Sequence, residues 1–410
     1  MLGKTSRRGF VILIVATTLS LTAPGSADEI VNVLDLPGSG TSPEQIDYDS
    51  LPRVAGKHVI IRPAARGEGV TDQDKYDLHN LKFQLHSYLA HRNGRFWCIW
   101  SEGPPIEDEP TQEVRFATSS DGLDWSESAP VTGTPEAPYA FIARGLWVRQ
   151  GQLIALAAHF KGKGAFGADK ELKLRAYAWD EGEKKWRFMQ TVYDNAINNF
   201  PPQKLPTGEW ILTRRDARFN VSVLIGGTEK IERWKSYPVV GIGEVAGFRP
   251  DEPIFWHLDG EDSLLALFRD NSGSRRLFHA KSEDYGKHWT TPQITNFPNA
   301  TSKIFSMQAS NGVRVLVSNA NPQRGRRQLH LSLSEGGRTF TRMALLAIPS
   351  PPPVEDVARI EKKFQTGIAS LQYPHMIEHD RALLIAFSRN KKQIELLRIP
   401  LESIAELVEK

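Results

Sequence analysis

Residues 252–289 read EPIFWHLDGEDSLLALFRDNSGSRRLFHAKSEDYGKHW. An apolar strand, a turn at Gly260 and a second apolar strand come first. RRLFHAKS adds a third strand and runs into Ser282-Glu283-Asp284-Tyr285-Gly286-Lys287-His288-Trp289. Asp284 and Gly286 suit a tight turn, and Trp289 is placed to pack back between sheets.

The same strand–turn–strand unit recurs as QLHSYLAHRNGRFWCIWSEG, FIARGLWVRQGQLIALAAHF, FPPQKLPTGEWILTRRD, MQASNGVRVLVSNA and YPHMIEHDRALLIAFSRN. With the 252–270 unit there are six. Their turn residues are Gly94, Gly151, Gly208, Gly260, Gly312 and Asp380, at intervals of 57, 57, 52, 52 and 68. A period of about 50 residues with several strands per unit is the signature of a β-propeller. Two separate sandwich domains would not give such even spacing. Two further turns, Ser120–Trp125 after EVRFATS and Ser334–Phe340 after RQLHLSLS, fall in register with the repeat. The strand-like KHVIIR (57–62) precedes the first unit. It is expected to close the ring on IELLRIPL of the last, since an open propeller leaves unpaired edges. The expectation is an all-β, six-bladed β-propeller of four-stranded blades over residues 57–410, with almost no helix.

Composition agrees. Hydrophobic residues make up 40% and charged residues 24%, with 32 Gly, 26 Pro and 10 Trp, a turn-rich globular profile rather than a disordered or fibrous one. The net charge of +3 gives no reason to expect nucleic acid. Cys98 is the only cysteine, so no intrachain disulfide forms. Residues 1–27 read as a signal peptide: Lys4, Arg7 and Arg8, an apolar run from Phe10 to Leu21, and small residues Gly25-Ser26-Ala27 for cleavage before Asp28. Ser6-Arg7-Arg8-Gly9-Phe10 fits a twin-arginine signal, so the protein is expected in the periplasm or secreted, without membrane insertion after cleavage. Residues 28–56 are polar and rich in Gly, Ser and Pro, and are expected to form a linker or loosely packed leader.

Ser282–Trp289 matches S-x-D-x-G-x-x-W, the Asp-box of the sialidase superfamily (BNR repeat), at every fixed position, and Ser120–Trp125 and Ser334–Phe340 resemble degenerate copies. The chain thus resembles a six-bladed sialidase-like propeller across about residues 57–400. The resemblance implies a glycosidase of exo-α-sialidase type, with three arginines on the substrate carboxylate, a Tyr–Glu nucleophile pair and an acid/base Asp. It places Glu252 as the base and Arg269, seventeen residues on, as the second clamp. Tyr373 is then the nucleophile, Asp108 (or its neighbours Glu107 and Glu109) the acid/base, and Arg326 or Arg327 the third clamp. The first unit departs from the family. Where an aromatic-Arg-Ile-Pro holds the first clamp, this chain has Phe83-Gln84-Leu85-His86, and the upstream Arg62-Pro63 is not read as its substitute. Gln84 and His86 are expected to contact substrate instead.

Counting back eight residues from each turn marks the start of each innermost strand: His86, Ala143 with Arg144 beside it, Phe200 with Asn199, and Glu252. Tyr373 falls at the same point of the sixth unit if its turn is one residue longer. Arg215-Asp216, Arg269-Asp270 and Arg389-Asn390 end the second strands. Three arginines in equivalent positions suit an anion, and guanidinium is the fitting partner for a carboxylate. Each could instead pair with a neighbouring carboxylate. The set beside His86, Glu252 and Tyr373 points to an acidic oligosaccharide or glycan. His79, His86 and His91 do not have the spacing of a common zinc motif, and no metal or cofactor is expected. A funnel histidine also suits the ulvan-type lyases and rhamnosyl-glucuronate hydrolases that similar propellers form. There, cations would neutralise a uronate carboxylate while His86 or Tyr373 removes the C5 proton. A non-catalytic sugar-binding propeller, using exposed Trp97, Trp147 or Trp256 as stacking platforms, is the third reading.

Overall fold

The computed structural model describes residues 30–65, 81–349 and 370–409. These residues form a six-bladed β-propeller. Blade 1 is built from Phe83–Arg92, Arg95–Gly103, Glu113–Ser119 and Ala129–Pro130. Blade 2 comprises Tyr139–Arg149, Gln152–Lys161, Lys173–Asp180 and Lys185–Asp194. Blade 3 follows with Gln203–Lys204, Trp210–Arg215, Val221–Gly226 and Trp234–Val240, and blade 4 with Pro250–His257, Leu264–Asp270, Arg276–Ser282 and Gln293–Pro298. Blade 5 holds Phe305–Gln308, Arg314–Ser318, His330–Ser334 and Arg342–Leu346. Blade 6 holds Leu371–His379, Ala382–Arg389 and Gln393–Pro400. Its fourth strand is Lys57–Arg62, antiparallel to Gln393–Pro400 with Lys57 opposite Arg398, so the N-terminal strand closes the ring as expected. The signal-peptide reading and His79 lie outside the described residues. No described helix is long and apolar enough to cross a membrane.

Each blade is sandwiched between two neighbours, so its central strands are apolar on both faces rather than alternating. Leu264–Phe268 and Ala382–Phe387 are buried at every position. The hairpins that join them use left-handed turn pairs. Asn93-Gly94, Gln150-Gly151 and the glycine-free Asp380-Arg381 all have positive φ at both residues, the geometry that matches strand twist.

The box in blade 4 is a closed hydrogen-bonded turn. Asp284 Oδ1 accepts from Ser282 Oγ (2.9 Å), Lys287 N (3.1 Å) and His288 N (2.9 Å), and Trp289 Nε1 donates to Gly286 O (2.9 Å). Gly286 has φ 92°, and a Cβ there would lie 2.9 Å from Ile211 of blade 3. Blade 1 repeats the pattern one residue shorter. Its anchoring serine is Ser119, not the expected Ser120, because Ser119 Oγ accepts from Gly122 N at 2.8 Å and bonds Asp121. In blade 5 the aspartate is missing, and Gly337 O accepts instead from Trp256 of blade 4 (2.9 Å).

Residues 30–56 differ from the loose leader their composition suggested. Val33 and Leu34 are buried, and both backbone amides donate to Asn296 Oδ1, at 2.9 and 3.0 Å. Val31 bridges to Thr295 and Leu34 to Phe340, across blades 4 and 5. Arg53–Val54 adds a parallel fifth strand to blade 5. A few apolar residues spaced along a polar segment suffice to seat it in a groove between blades. Leu401–Glu409 is the one α-helix among the described residues, anchored by buried Leu401 and Ile404.

Candidate functional site

The innermost strands of blades 1, 4 and 6 carry the same irregularity. In blade 1, Leu85 pairs with Ser101 and Tyr88 with Ile99, so His86 and Ser87 together oppose one residue. In blade 4, Asp251 pairs with Arg269 and Ile254 with Leu267, leaving Glu252-Pro253. In blade 6, Gln372 pairs with Ser388 and His375 with Ala386, leaving Tyr373-Pro374. These are β-bulges, which re-aim a side chain out of the sheet. His86, Glu252 and Tyr373 each take a left-handed φ there, of 60°, 40° and 56°. That conformation costs a non-glycine residue about 1–2 kcal/mol. Its recurrence at equivalent points of three blades is the mark of a constrained site. Blade 2 bulges as well: Ala143 pairs with Ala157 and Gly145 with Leu156, and Arg144 is the extra residue. Gly145 (φ 134°) is required, since a Cβ would lie 2.8 Å from Pro201 of blade 3.

The bulged residues converge at the ring's centre. Arg269 Nη1 donates to Glu252 Oε2 at 2.7 Å, and its charge acts on the Tyr373 phenol. Arg269 is also 3.8 Å from Asp251, which pairs with Arg215. Burial pushes the Glu252 carboxyl up, but the charges of Arg269, Lys303 and Arg215 outweigh it and hold the group at about 2. Tyr373 is pushed up, by burial first and then by Glu252 and Glu107. His86 bonds Ser101 Oγ (3.1 Å), lies 3.8 Å from Glu107 and meets the Tyr373 ring edge-on. Burial and the nearby Arg144 and Lys303 drive its pKa well below the usual histidine range, so the ring is neutral. Asp108 is pushed to about 7 by burial and by the Glu107 carboxylate. Arg326 donates to Gln372 Oε1 (2.6 Å) and Thr301 O (2.7 Å), and its charge acts on Arg269, Tyr373 and Glu252.

Other expected residues are placed elsewhere. Arg389 makes a two-pronged pair with Glu395 (2.5 and 2.8 Å) inside blade 6, where His58 also bonds Glu395, so it is a structural ion pair rather than a clamp. Arg327 is exposed, leaving Arg326 as the arginine that faces the site. Gln84 is buried with Nε2 on Pro63 O (3.1 Å), tying blade 1 to the segment after the closing strand rather than reaching the centre. Arg62 holds Glu102 in blade 1. Glu109 faces outward to Lys163 (3.4 Å), while Glu107 pairs with Lys391. Trp97, Trp147 and Trp256 are all buried and offer no stacking surface.

One central residue was missed. Lys303, fully buried, donates to Tyr88 OH (2.8 Å) and Asn199 O (3.2 Å). Its ammonium lies 4.7 Å from the Tyr88 and Phe200 rings and 5.3 Å from that of Tyr373. The same count back from Gly312 reaches Ile304, with Lys303 beside it, so the signal was present in the fifth repeat.

Six blades around a core of arginines, carboxylates and a strained Tyr–Glu–His set define a propeller of sialidase-like architecture. A family model described as a BNR repeat-like domain matches residues 94–385, and the chain belongs to that family. Among solved structures it resembles a protein of unknown function from Dyadobacter fermentans DSM 18053 (13% identity, TM-score 0.62, covering 84% of this chain and 98% of that one). It also resembles Trypanosoma rangeli sialidase (12%, 0.59, 86% and 61%) and the NanB sialidase of Streptococcus pneumoniae (11%, 0.55, 78% and 69%). The chain thus spans about three-fifths of the trypanosomal enzyme, and at these identities the likeness is one of fold. No curated protein matches the chain.

Proposed function

We propose that the protein is an exported glycoside hydrolase acting on a terminal acidic sugar. The observation that carries this reading is Arg269, whose guanidinium binds Glu252 and whose charge acts on the Tyr373 phenol. In this reading the substrate carboxylate docks on Arg269 and Arg326. Its negative charge competes with Glu252 for Arg269, which loosens the ion pair and raises the basicity of Glu252. Glu252 then accepts the phenolic proton as Tyr373 attacks the anomeric carbon, since a phenol needs a base to act as a nucleophile near neutrality. Asp108, titrating at about 7, is half-protonated at neutral pH and donates to the leaving oxygen. Water later attacks the anomeric carbon with Asp108 taking its proton, the bond to Tyr373 breaks, and Glu252 returns the phenolic proton.

A second reading, elimination from a uronate polymer, is favoured by the neutral His86 beside Tyr373. Here His86 takes the C5 proton and the bond from C4 to the leaving oxygen breaks. The deciding assay offers a sialoside, a rhamnosyl-glucuronate and an ulvan-type polymer to wild type and Tyr373→Phe. Saturated sugar released by wild type and lost in the variant supports hydrolysis. Ultraviolet-absorbing unsaturated product that survives Tyr373→Phe overturns it in favour of elimination. Export is tested apart: Arg7→Lys with Arg8→Lys should sharply reduce it, and unchanged export would replace the twin-arginine signal with a general secretory one.

A further inference from the structure

We propose that Arg144 forms a second anion subsite across the funnel from Arg326, so that the ligand carries two acidic groups, the second being a sulfate ester or another uronate carboxylate. The inference extends the acidic-sugar reading above.

Arg144 is only 3% exposed, yet its Nε and Nη1 have no hydrogen-bond partner among the described residues. The other central cations each have a carboxylate or polar partner, Arg215 in Asp251, Arg269 in Glu252, Lys391 in Glu107, and Lys303 in Tyr88 and Asn199, although Nε of Arg215 and of Arg269 is also unpartnered. No carboxylate of the described residues lies within 4.0 Å of Arg144. Instead its charge acts on His86, Asp108, Arg215 and Lys303, two of them cations. A buried guanidinium with free donors and cationic neighbours is unfavourable unless something pairs with it. The bulge at Arg144 and the obligatory Gly145 keep the side chain there in spite of that cost.

Position then sets the ligand's shape. Arg144 belongs to blade 2, whereas Arg269 and Arg326 belong to blades 4 and 5. In a ring of six, blade 2 stands opposite blade 5. A disaccharide with an acidic group on each side would pair with both flanks. Both candidate anions present two or more oxygens to a planar donor pair, as guanidinium prefers.

The test measures binding, by calorimetry at fixed ionic strength, to the full-length mature protein carrying Tyr373→Phe. The probes are glucuronic acid, a disaccharide of two glucuronates, and a glucuronate disaccharide bearing one sulfate ester. At least one two-anion disaccharide should bind about tenfold or more tightly than glucuronic acid, and which one does so identifies the second group. Arg144→Gln should erase that preference and Arg144→Lys should keep part of it. Equal affinity for all three probes, or a preference intact in Arg144→Gln, overturns the proposal. If Arg144→Gln does not fold, the wild-type comparison still decides. A two-anion preference in a protein that hydrolyses nothing keeps the subsite and discards the hydrolase. Hydrolysis without the preference does the reverse.

Discussion

The imidazole of His86 meets the ring of Tyr373 edge to face, with centroids 4.9 Å apart and planes at 86°. The first comes from blade 1 and the second from blade 6, so the pair forms on the seam of the closed ring. Burial favours the neutral form of both, lowering the histidine and raising the phenol. Two neutral groups in contact are each fitted to exchange a proton with a substrate, and substitution tells which does.

In the hydrolase reading, Tyr373→Phe should lower kcat/KM by about a thousandfold or more, and Glu252→Gln by a comparable factor, because the two act as a unit. His86→Ala should chiefly raise KM. Loss of all turnover in His86→Ala with activity retained in Tyr373→Phe would transfer the proton step to the histidine. Steady-state kinetics on the three saccharide classes reads the difference.

Asp108 titrates at about 7 because burial and Glu107 disfavour its charge. As a general acid it is active protonated, so kcat/KM should fall as pH rises above about 7. Asp108→Asn should remove that alkaline limb and cut the rate most for substrates with poor leaving groups. A pH–rate profile identical to wild type would exclude Asp108 from the reaction.

Lys303 is buried among aromatic rings, burial pushes its pKa well below the usual lysine range, and its charged form helps keep Glu252 ionised. Lys303→Met removes a costly buried charge while keeping the volume. Unfolding in urea should show stability unchanged or raised by about 1–4 kcal/mol. Turnover should fall, and the acid limb of the pH profile, set by Glu252, should move upward. A purely structural lysine would lose stability and leave that limb in place.

How the chain announced its fold differs from how it announced its site. The blades were legible because a buried central strand needs an unbroken apolar run and a left-handed turn, as in Leu264–Phe268 after Gly260. Glu252 and Tyr373 were legible because each begins an innermost strand and precedes a proline, at the bulge. Arg389 was misread because spacing alone does not show that Glu395, the third residue of the next strand, satisfies it within the blade. Lys303 stood apart from every carboxylate in the sequence. Only the closed ring brings it over Tyr88 and Tyr373, from blades 1 and 6. The seating of residues 30–56 depended on Asn296, whose side-chain amide receives the backbone of a segment more than 250 residues away.

The Asp-box of blade 4 should matter to stability and not to chemistry. Gly286→Ala meets both a φ of 92° and a contact of 2.9 Å to Ile211, and should cost about 1–3 kcal/mol. Asp284→Ala strips acceptors from two backbone amides, with a similar cost. Chemical denaturation measures both, and kcat/KM at a permissive temperature should stay within about twofold, the latitude expected of a change remote from the reacting groups.

His330 and His375 are buried, and burial lowers them to about 4 and about 3. The unfolded chain therefore takes up their protons first. Their contribution is fully present above about 6.5 and is lost as pH falls toward their folded values, with a slope of about 1.4 kcal/mol per pH unit for each. Urea midpoints at pH 7 and pH 5 should show the decline, and His330→Asn with His375→Asn should flatten it.

The strand that completes blade 6 is Lys57–Arg62, laid against Gln393–Pro400. During synthesis it is made before the other strands of the ring and must wait for Gln393–Pro400 before it finds its partner. The candidate site, drawn from residues as distant as His86 and Tyr373, is therefore assembled only once that strand has been made. A nascent or prematurely ended copy carries most of these side chains but has no place in which they meet. The ring's latch is thus also a check on assembly: a copy that stops before Gln393–Pro400 cannot bring these side chains together.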